Sequence, residues 1–383
     1  MSSRLPHLAL LALSAAVAAA AGGACFTPIP QAALPDTGDR RTDAGDAGPS
    51  NLDGSCPECL PACEGTCTPD VGCPFATGGG FTLGCAPANY SLAVASSDAG
   101  TLELTVSTCA CGEAWVGTGA PGAWNGNETF HSSCGRTLSR VGPADERMIL
   151  VNEPTGTVRL FERRWNGSWR LTEPPQIRAP AALEIDSAGN PHLAGLGQGA
   201  VLHLVRINEE WIIDPAANAD SDTRGLVILA LGPDDLPRIA FSEGDVKLAT
   251  KSGSADAGFQ WQHSTASFRG TPLSLEVDAQ GRANLLYLDH GVRYALQTAN
   301  GAWVAELVDE KATAAQLAFT SDGCPWAIWS RDGIYFGERT AAGWTSDRVA
   351  EGTFGAEDEP LVILPDRRPM VLHGGATMSF SGR

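Results

Sequence analysis

Residues 271–308 read TPLSLEVDAQGRANLLYLDHGVRYALQTANGAWVAELV, and this stretch decides the fold. Four short runs, 273–277, 284–288, 292–296 and 303–308, are rich in Val, Leu, Ile and aromatics and partly alternate. The turns between them are Asp278-Ala279-Gln280-Gly281, Asp289-His290-Gly291 and Asn300-Gly301-Ala302. Apolar runs of this length, punctuated by Gly, Asn and Asp, predict four strands joined by hairpins. In the first turn Gly281 accepts a positive φ and Asp278 hydrogen-bonds the local backbone, as a tight reversal requires.

The same unit recurs on both sides. A Trp follows a turn at Trp124, Trp169, Trp211, Trp261, Trp303 and Trp344, with spacings of 45, 42, 50, 42 and 41 residues. A second marker, the first-to-second-strand turn, keeps its own phase: Trp169 to Gly189, Trp261 to Gly281 and Trp303 to Gly323 are each 20 residues. A period of about 40–45 residues with four strands is that of a propeller blade. After Trp344 only three runs remain, 361–364, 370–373 and 377–380, so a fourth strand is missing there. Phe81 lies 19 residues before Gly100, the phase a Trp should have. Residues 80–84 are therefore expected to complete the last blade. Six full repeats and one shared blade predict an all-β, seven-bladed β-propeller over 78–383, whose closure hides the terminal strand edges.

The motif order, an apolar run, Asp-x-x-Gly-x-Pro as in Asp186-Ser187-Ala188-Gly189-Asn190-Pro191, two strands and Gly-x-Trp, resembles the repeat propellers of exported bacterial lipoproteins. That resemblance is specific for fold and implies no activity, because propellers host many unrelated functions. The Gly-x-Trp turns are also similar to the Asp-box of sialidases, but its Ser and Asp are absent, so only turn geometry carries over.

Bulk composition agrees. The chain has 383 residues, 18% of them charged, with 44 Gly and 25 Pro, a mix that suits a turn-rich β protein. Its net charge of −18 disfavours nucleic-acid binding. Residues 1–24 read as a signal peptide: Arg4, then a small-apolar run from Leu8 to Ala21 that is short for a membrane span. Cleavage fits Ala19-Ala20-Ala21 or a lipobox-like Gly22-Gly23-Ala24-Cys25. In the second case Cys25 is lipidated and its acyl chains hold the protein at the membrane. The expected location is the outer membrane or cell surface, otherwise the medium. Residues 25–55 form an acidic Pro/Gly/Ala linker with no periodic apolar pattern.

Residues 56–77 are Cys-rich. The spacing of Cys56, Cys59, Cys63, Cys67 and Cys73 suggests disulfides in an exported chain rather than zinc. In a propeller, turns between first and second strands, and between third and fourth, share one face, here called lower. Second-to-third turns and the connections between blades share the upper face. Cys85, Cys109, Cys111 and Cys134 then fall together on the upper face. Cys324 falls on the lower face with the Cys-rich segment. Two even sets, four and six, are expected to pair within themselves.

Propeller ligands are expected at the upper face near the channel. Polar residues at second-to-third turns are Glu243 and Asp245, Asp289 and His290, Arg331 and Asp332, with His373 beside the last. These are also ordinary turn sequences. His192 and His203 sit in apolar runs and read as core residues. Neither a metal-spaced His pair nor a G-x-S-x-G elbow occurs, and Asn218, Asp220 and Asp222 make a poor calcium loop. No cofactor or metal is expected. Trp326 and Trp329 share one strand out of phase, on opposite faces, so one of them is expected to be exposed. The expected function is a monomeric, envelope-anchored binding module for a protein or glycan. Two rivals remain: a glycoside hydrolase or lyase with paired carboxylates near the channel, and a structural envelope protein whose channel is plugged.

Overall fold

A computed structural model describes residues 76–82, 90–97, 101–108, 113–120, 123–131 and, with short gaps, 136–382. The export signal, the linker, most of the Cys-rich segment and every cysteine except Cys324 lie outside the described residues. All regular structure in the described residues is β-strand. The strands form four-stranded antiparallel blades of a propeller.

Six blades use consecutive strands. The first holds Tyr90–Ser96, Leu102–Thr108, Glu113–Ala120 and Ala123–His131. The second holds Arg136–Val141, Arg147–Asn152, Val158–Arg163 and Trp169–Thr172. The third holds Arg178–Ile185, Pro191–Leu196, Ala200–Ile207 and Glu210–Asn218. The fourth holds Ile228–Leu231, Pro237–Glu243, Asp245–Ser254 and Gly258–Arg269. The fifth holds Thr271–Val277, Ala283–Leu288, Val292–Gln297 and Trp303–Asp309, within a residue or two of the sequence reading. The sixth holds Ala314–Phe319, Pro325–Ser330 and Ile334–Thr340, and its outer strand is split into Gly343–Trp344 and Asp347–Ala350.

A further sheet is composite. Ala76–Thr82 pairs with Thr377–Gly382, which continues to Pro369–Gly374 and Leu361–Ile363. The N-terminal strand spans 76–82 rather than the expected 80–84. Its pairing runs from Ala76 opposite Gly382 to Thr82 opposite Thr377, and a bulge between Gly78 and Phe81 takes up the extra residues. Glycine tolerates such a bulge. A parallel bridge between Ala93 and Glu359 brings the first blade's inner strand against the segment that leads into the composite sheet.

The core lies in the seams between blades. Leu138, Leu150 and Leu160 of the second blade pack on Leu183, Leu193 and Leu204 of the third. Val201 of the third meets Val227 and Phe241 of the fourth, and Leu248 of the fourth meets Leu285 of the fifth. Leu286 of the fifth meets Leu317 of the sixth, and Ile328 of the sixth meets Val371 of the composite sheet. The repeated Trp211, Trp261, Trp303 and Trp344 flank these seams. Their phase therefore reflects packing between blades.

Trp326 and Trp329 do point to opposite faces, but neither is exposed. Trp326 fills the seam toward the composite sheet and Trp329 the seam toward the fifth blade. A blade flanked on both sides has no free face. His192 and His203 are buried together, with Nδ1 of His192 3.0 Å from Nε2 of His203 and its Nε2 3.3 Å from Asp186.

Trp329 is buried and its Nε1 donates to Asp309 at 3.0 Å. Trp329→Ala should therefore cost about 3–5 kcal/mol, measured by urea unfolding. A loss below about 1 kcal/mol would contradict seam packing as the source of stability.

Candidate functional site

The first strand of each blade is innermost, and its last residues converge on the channel. The turn that follows supplies a common reference: the N–H of one residue bonds the carbonyl four residues on. This occurs at Ser97, Gly142, Asp186, Gly232, Asp278 and Thr320. Two residues before each lies one equivalent inner position. Around the six blades it is Ala95, Arg140, Glu184, Ala230, Glu276 and Ala318, and all six line one cavity. Three alanines leave room that three charged chains do not fill. The cavity has a volume of about 470 Å³ and reaches Gly232 and Asp235 of the fourth blade's turn, so it is a vestibule on the lower face.

Arg140 is the hub of the charges. Its Nε donates to Glu184 at 2.9 Å, and its terminal nitrogens reach Glu359 at 2.5 and 3.2 Å and the Ser139 carbonyl at 2.9 Å. Burial alone would lower the Arg140 pKa, but Glu184 and Glu359 raise it well above the ordinary value, so it stays charged. Burial pushes Glu359 up, yet Arg140 and Arg136 outweigh it and hold this carboxylate below its usual range. Glu184 is raised by burial, and Arg140 offsets this only in part. Glu276 differs. It makes no hydrogen bond or ion pair among the described residues, and burial, with repulsion from Glu184 and Glu359 that Arg140 only partly offsets, pushes it up to about 8. It is therefore mostly a neutral acid at pH 7.

The opposite end of the channel is crossed by residues 354–359. The Phe354 N–H donates to Ser330 Oγ of the sixth blade at 3.3 Å. Arg136 of the second blade donates to the Glu357 carbonyl at 3.0 Å. Ala356 packs against three successive seams. Beneath this crossing is a pocket of only about 40 Å³, lined by Arg136, Glu184, Glu276 and Glu359. At the vestibule rim, Asp235 has φ 58° where other blades have Gly189, Gly281 and Gly323. Asp tolerates this left-handed conformation better than most residues. Its carboxylate accepts the Ser187 N–H at 3.1 Å and also the Ser187 hydroxyl, joining the turns of two blades.

No family model matches this chain, and no curated protein does. Among solved structures it is similar to a protein from Lactobacillus plantarum, at 10% identity over 70% of this chain and 86% of that one, with a TM-score of 0.49. It is also similar to a protein provisionally described as a gluconolactonase, at 13% identity over 72% of this chain and 94% of that one, with a TM-score of 0.43. Likenesses this distant carry no argument about this chain's activity.

The seven residues singled out from the sequence sit elsewhere. Glu243 pairs with Lys247 and accepts from Thr223 at 3.1 Å. Asp245 faces Arg269 at 3.8 Å. Asp289 pairs with His290 at 2.8 Å and lies 3.9 Å from Arg293. Arg331 pairs with Asp309 at 2.8 Å and Asp332 at 3.2 Å, and stacks on Tyr335. His373 is half-buried, and burial lowers its pKa. The Arg331–Asp309 pair ties the sixth blade's turn to the end of the fifth blade's outer strand. Cys324 is disulfide-bonded, and its partner lies outside the described residues.

Sequence reasoning missed Arg140, Glu184, Glu276 and Glu359. A signal was present for two of them: Leu183-Glu184-Ile185-Asp186 and Leu275-Glu276-Val277-Asp278 repeat one charged residue inside an apolar inner strand.

Glu276 gives a pH test. Its folded value, about 8, lies above its ordinary 4.5, so the folded chain holds a proton that the unfolded chain releases between those values. Its contribution is full below the unfolded value and is lost as pH rises through the folded one. Glu276→Gln, which carries no ionisable group, should therefore gain stability relative to the parent as pH rises between those limits. Urea melts at a pH near each limit check this; a constant difference would contradict it.

Proposed function

We propose that this protein is an envelope-displayed, seven-bladed binding propeller whose ligand enters the channel vestibule from the lower face. The observation that carries this is Glu276, an unpaired acid on the wall of a cavity of about 470 Å³. Leaving a buried acid unpaired costs stability, and such groups gather at functional sites. The cavity volume is that of a small-molecule site. The ligand is a free small molecule or an exposed group of a surface glycan or protein. The composite sheet serves as the seventh blade, supported by the Ala93–Glu359 bridge. Display follows from the export signal and a lipidated Cys25. The Cys-rich segment is tied to the lower face through Cys324.

A second reading has one observation in its favour. Glu276 holds its proton near neutral pH while the nearby Glu359 is ionised, the split expected of an acid and base pair in glycoside cleavage.

A thermal-shift panel of alkylamines, polyols, sugars and carboxylates separates binding from its absence. At least one class should stabilise the folded chain saturably, by about 2.7 kcal/mol at a hundredfold excess over Kd. Ala318→Trp, which fills the vestibule, should remove that shift while the variant still melts cooperatively. No shift with any class, or a shift that survives Ala318→Trp, would overturn the proposal.

A further inference from the structure

We infer that the vestibule takes an aliphatic ammonium group, which docks on the Glu276 carboxylate with its hydrocarbon part against the alanine-lined wall. This rests on the vestibule being a binding site and adds the chemistry of what binds there.

The inference comes from counting which polar groups around the cavity are still free. Each nitrogen of Arg140 is engaged by Glu184, Glu359 or the Ser139 carbonyl. The Gln316 amide is spent on the backbone of Leu361, donating at 3.1 Å and accepting at 2.7 Å. Asp235 is spent on Ser187. Arg136 keeps one unpaired nitrogen, but it is sealed in the small pocket beyond the vestibule, which has room for a water or two. No guanidinium donor in the vestibule is therefore left to meet an anion, and Gln316 keeps a single neutral N–H. The free capacity belongs to carboxylate oxygen, chiefly both oxygens of Glu276. The complement of an unspent carboxylate is a cation that brings its own donors.

The rest of the lining selects the kind of cation. Ala95, Ala230, Ala318, Leu317 and Val362 are apolar and suit a short alkyl chain. Among the described residues no group of three acids, His or Cys is placed to hold a metal ion. The net charge of −18 draws cations toward the protein.

Binding is coupled to a proton. The charged and polar groups facing Glu276 are Glu184 from the third blade, Arg136 and Arg140 from the second, Asp358 and Glu359 from the segment entering the composite sheet, and Gln316 from the sixth. Asp235 stands at the rim. Arg140 is already neutralised by two carboxylates, so below pH 8 Glu276 is mostly protonated, and it releases that proton when a cation docks. Ammonium affinity should rise as pH climbs toward 8.

Isothermal titration of the full chain with butylammonium, 1-butanol, sorbitol and butyrate tests this. Butylammonium should bind with one-to-one stoichiometry and tighten about tenfold per pH unit below the Glu276 titration. The other three should not bind. Glu276→Gln should weaken butylammonium at least about tenfold, the 1.4 kcal/mol scale of one charge-assisted hydrogen bond, and should abolish the pH dependence. Should that variant fold poorly, Ala318→Trp serves as the control that blocks the same space. Sorbitol or 1-butanol binding while butylammonium is silent would overturn the ammonium inference and leave the vestibule site standing. Butyrate binding would overturn it too. Silence from all four, with the wider panel also silent, would remove both.

Discussion

Every blade of this propeller has two apolar faces, and each is buried only against the next blade. That constraint governs the rest. Leu138 needs Leu183, Phe241 needs the third blade, and Ile328 needs Val371. A sequence of such pairings has no natural end until the last blade reaches the first. The composite sheet, made from Ala76–Thr82 and three strands near the C-terminus, and the Ala93–Glu359 bridge are how the two ends meet. Both Trp326 and Trp329 are buried for the same reason.

Radial packing also makes the channel. Inner strands converge, and one equivalent residue per blade meets the others around the axis. Apolar or small residues there would be the cheapest solution, and Ala95, Ala230 and Ala318 follow it. Arg140, Glu184 and Glu276 do not. Arg140 and its two carboxylates form a satisfied network, in which a buried cation is matched by hydrogen-bonded anions. Glu276 makes no hydrogen bond to that network; repulsion from Glu184 and Glu359 adds to its burial, and attraction from Arg140 offsets this only in part. The segment 354–359 crosses one end of the channel, and the vestibule at the other end is the wider approach to Glu276.

Much of the fold was legible because its signals are periodic. The Trp phase, the Asp-x-x-Gly turns and the displaced strand near Phe81 are each local and repeat along the chain. The strand near Phe81 begins a few residues earlier than its phase predicts, because a bulge between Gly78 and Phe81 shifts the register. The site was not legible in the same way. Turn residues such as Asp289 and Arg331 attract attention because loops often carry function, yet here Asp289 is answered by its neighbours His290 and Arg293, and Arg331 by Asp309, Asp332 and Tyr335. Glu184 and Glu276 look like solvent-facing positions of alternating strands. Only ring geometry turns those positions toward a shared axis, and Glu359 enters from a segment with no repeat signature at all.

The protonation of Glu276 decides whether the vestibule can receive a cation. Carbon-detected NMR titration of the Glu276 carboxyl in the folded protein measures it directly. A midpoint near 8 would match an unpaired acid held against the Arg140 network. A midpoint near 4.5, the ordinary glutamate value, would mean that solvent or an unseen partner already satisfies it, and the vestibule would lose its reason to bind a cation.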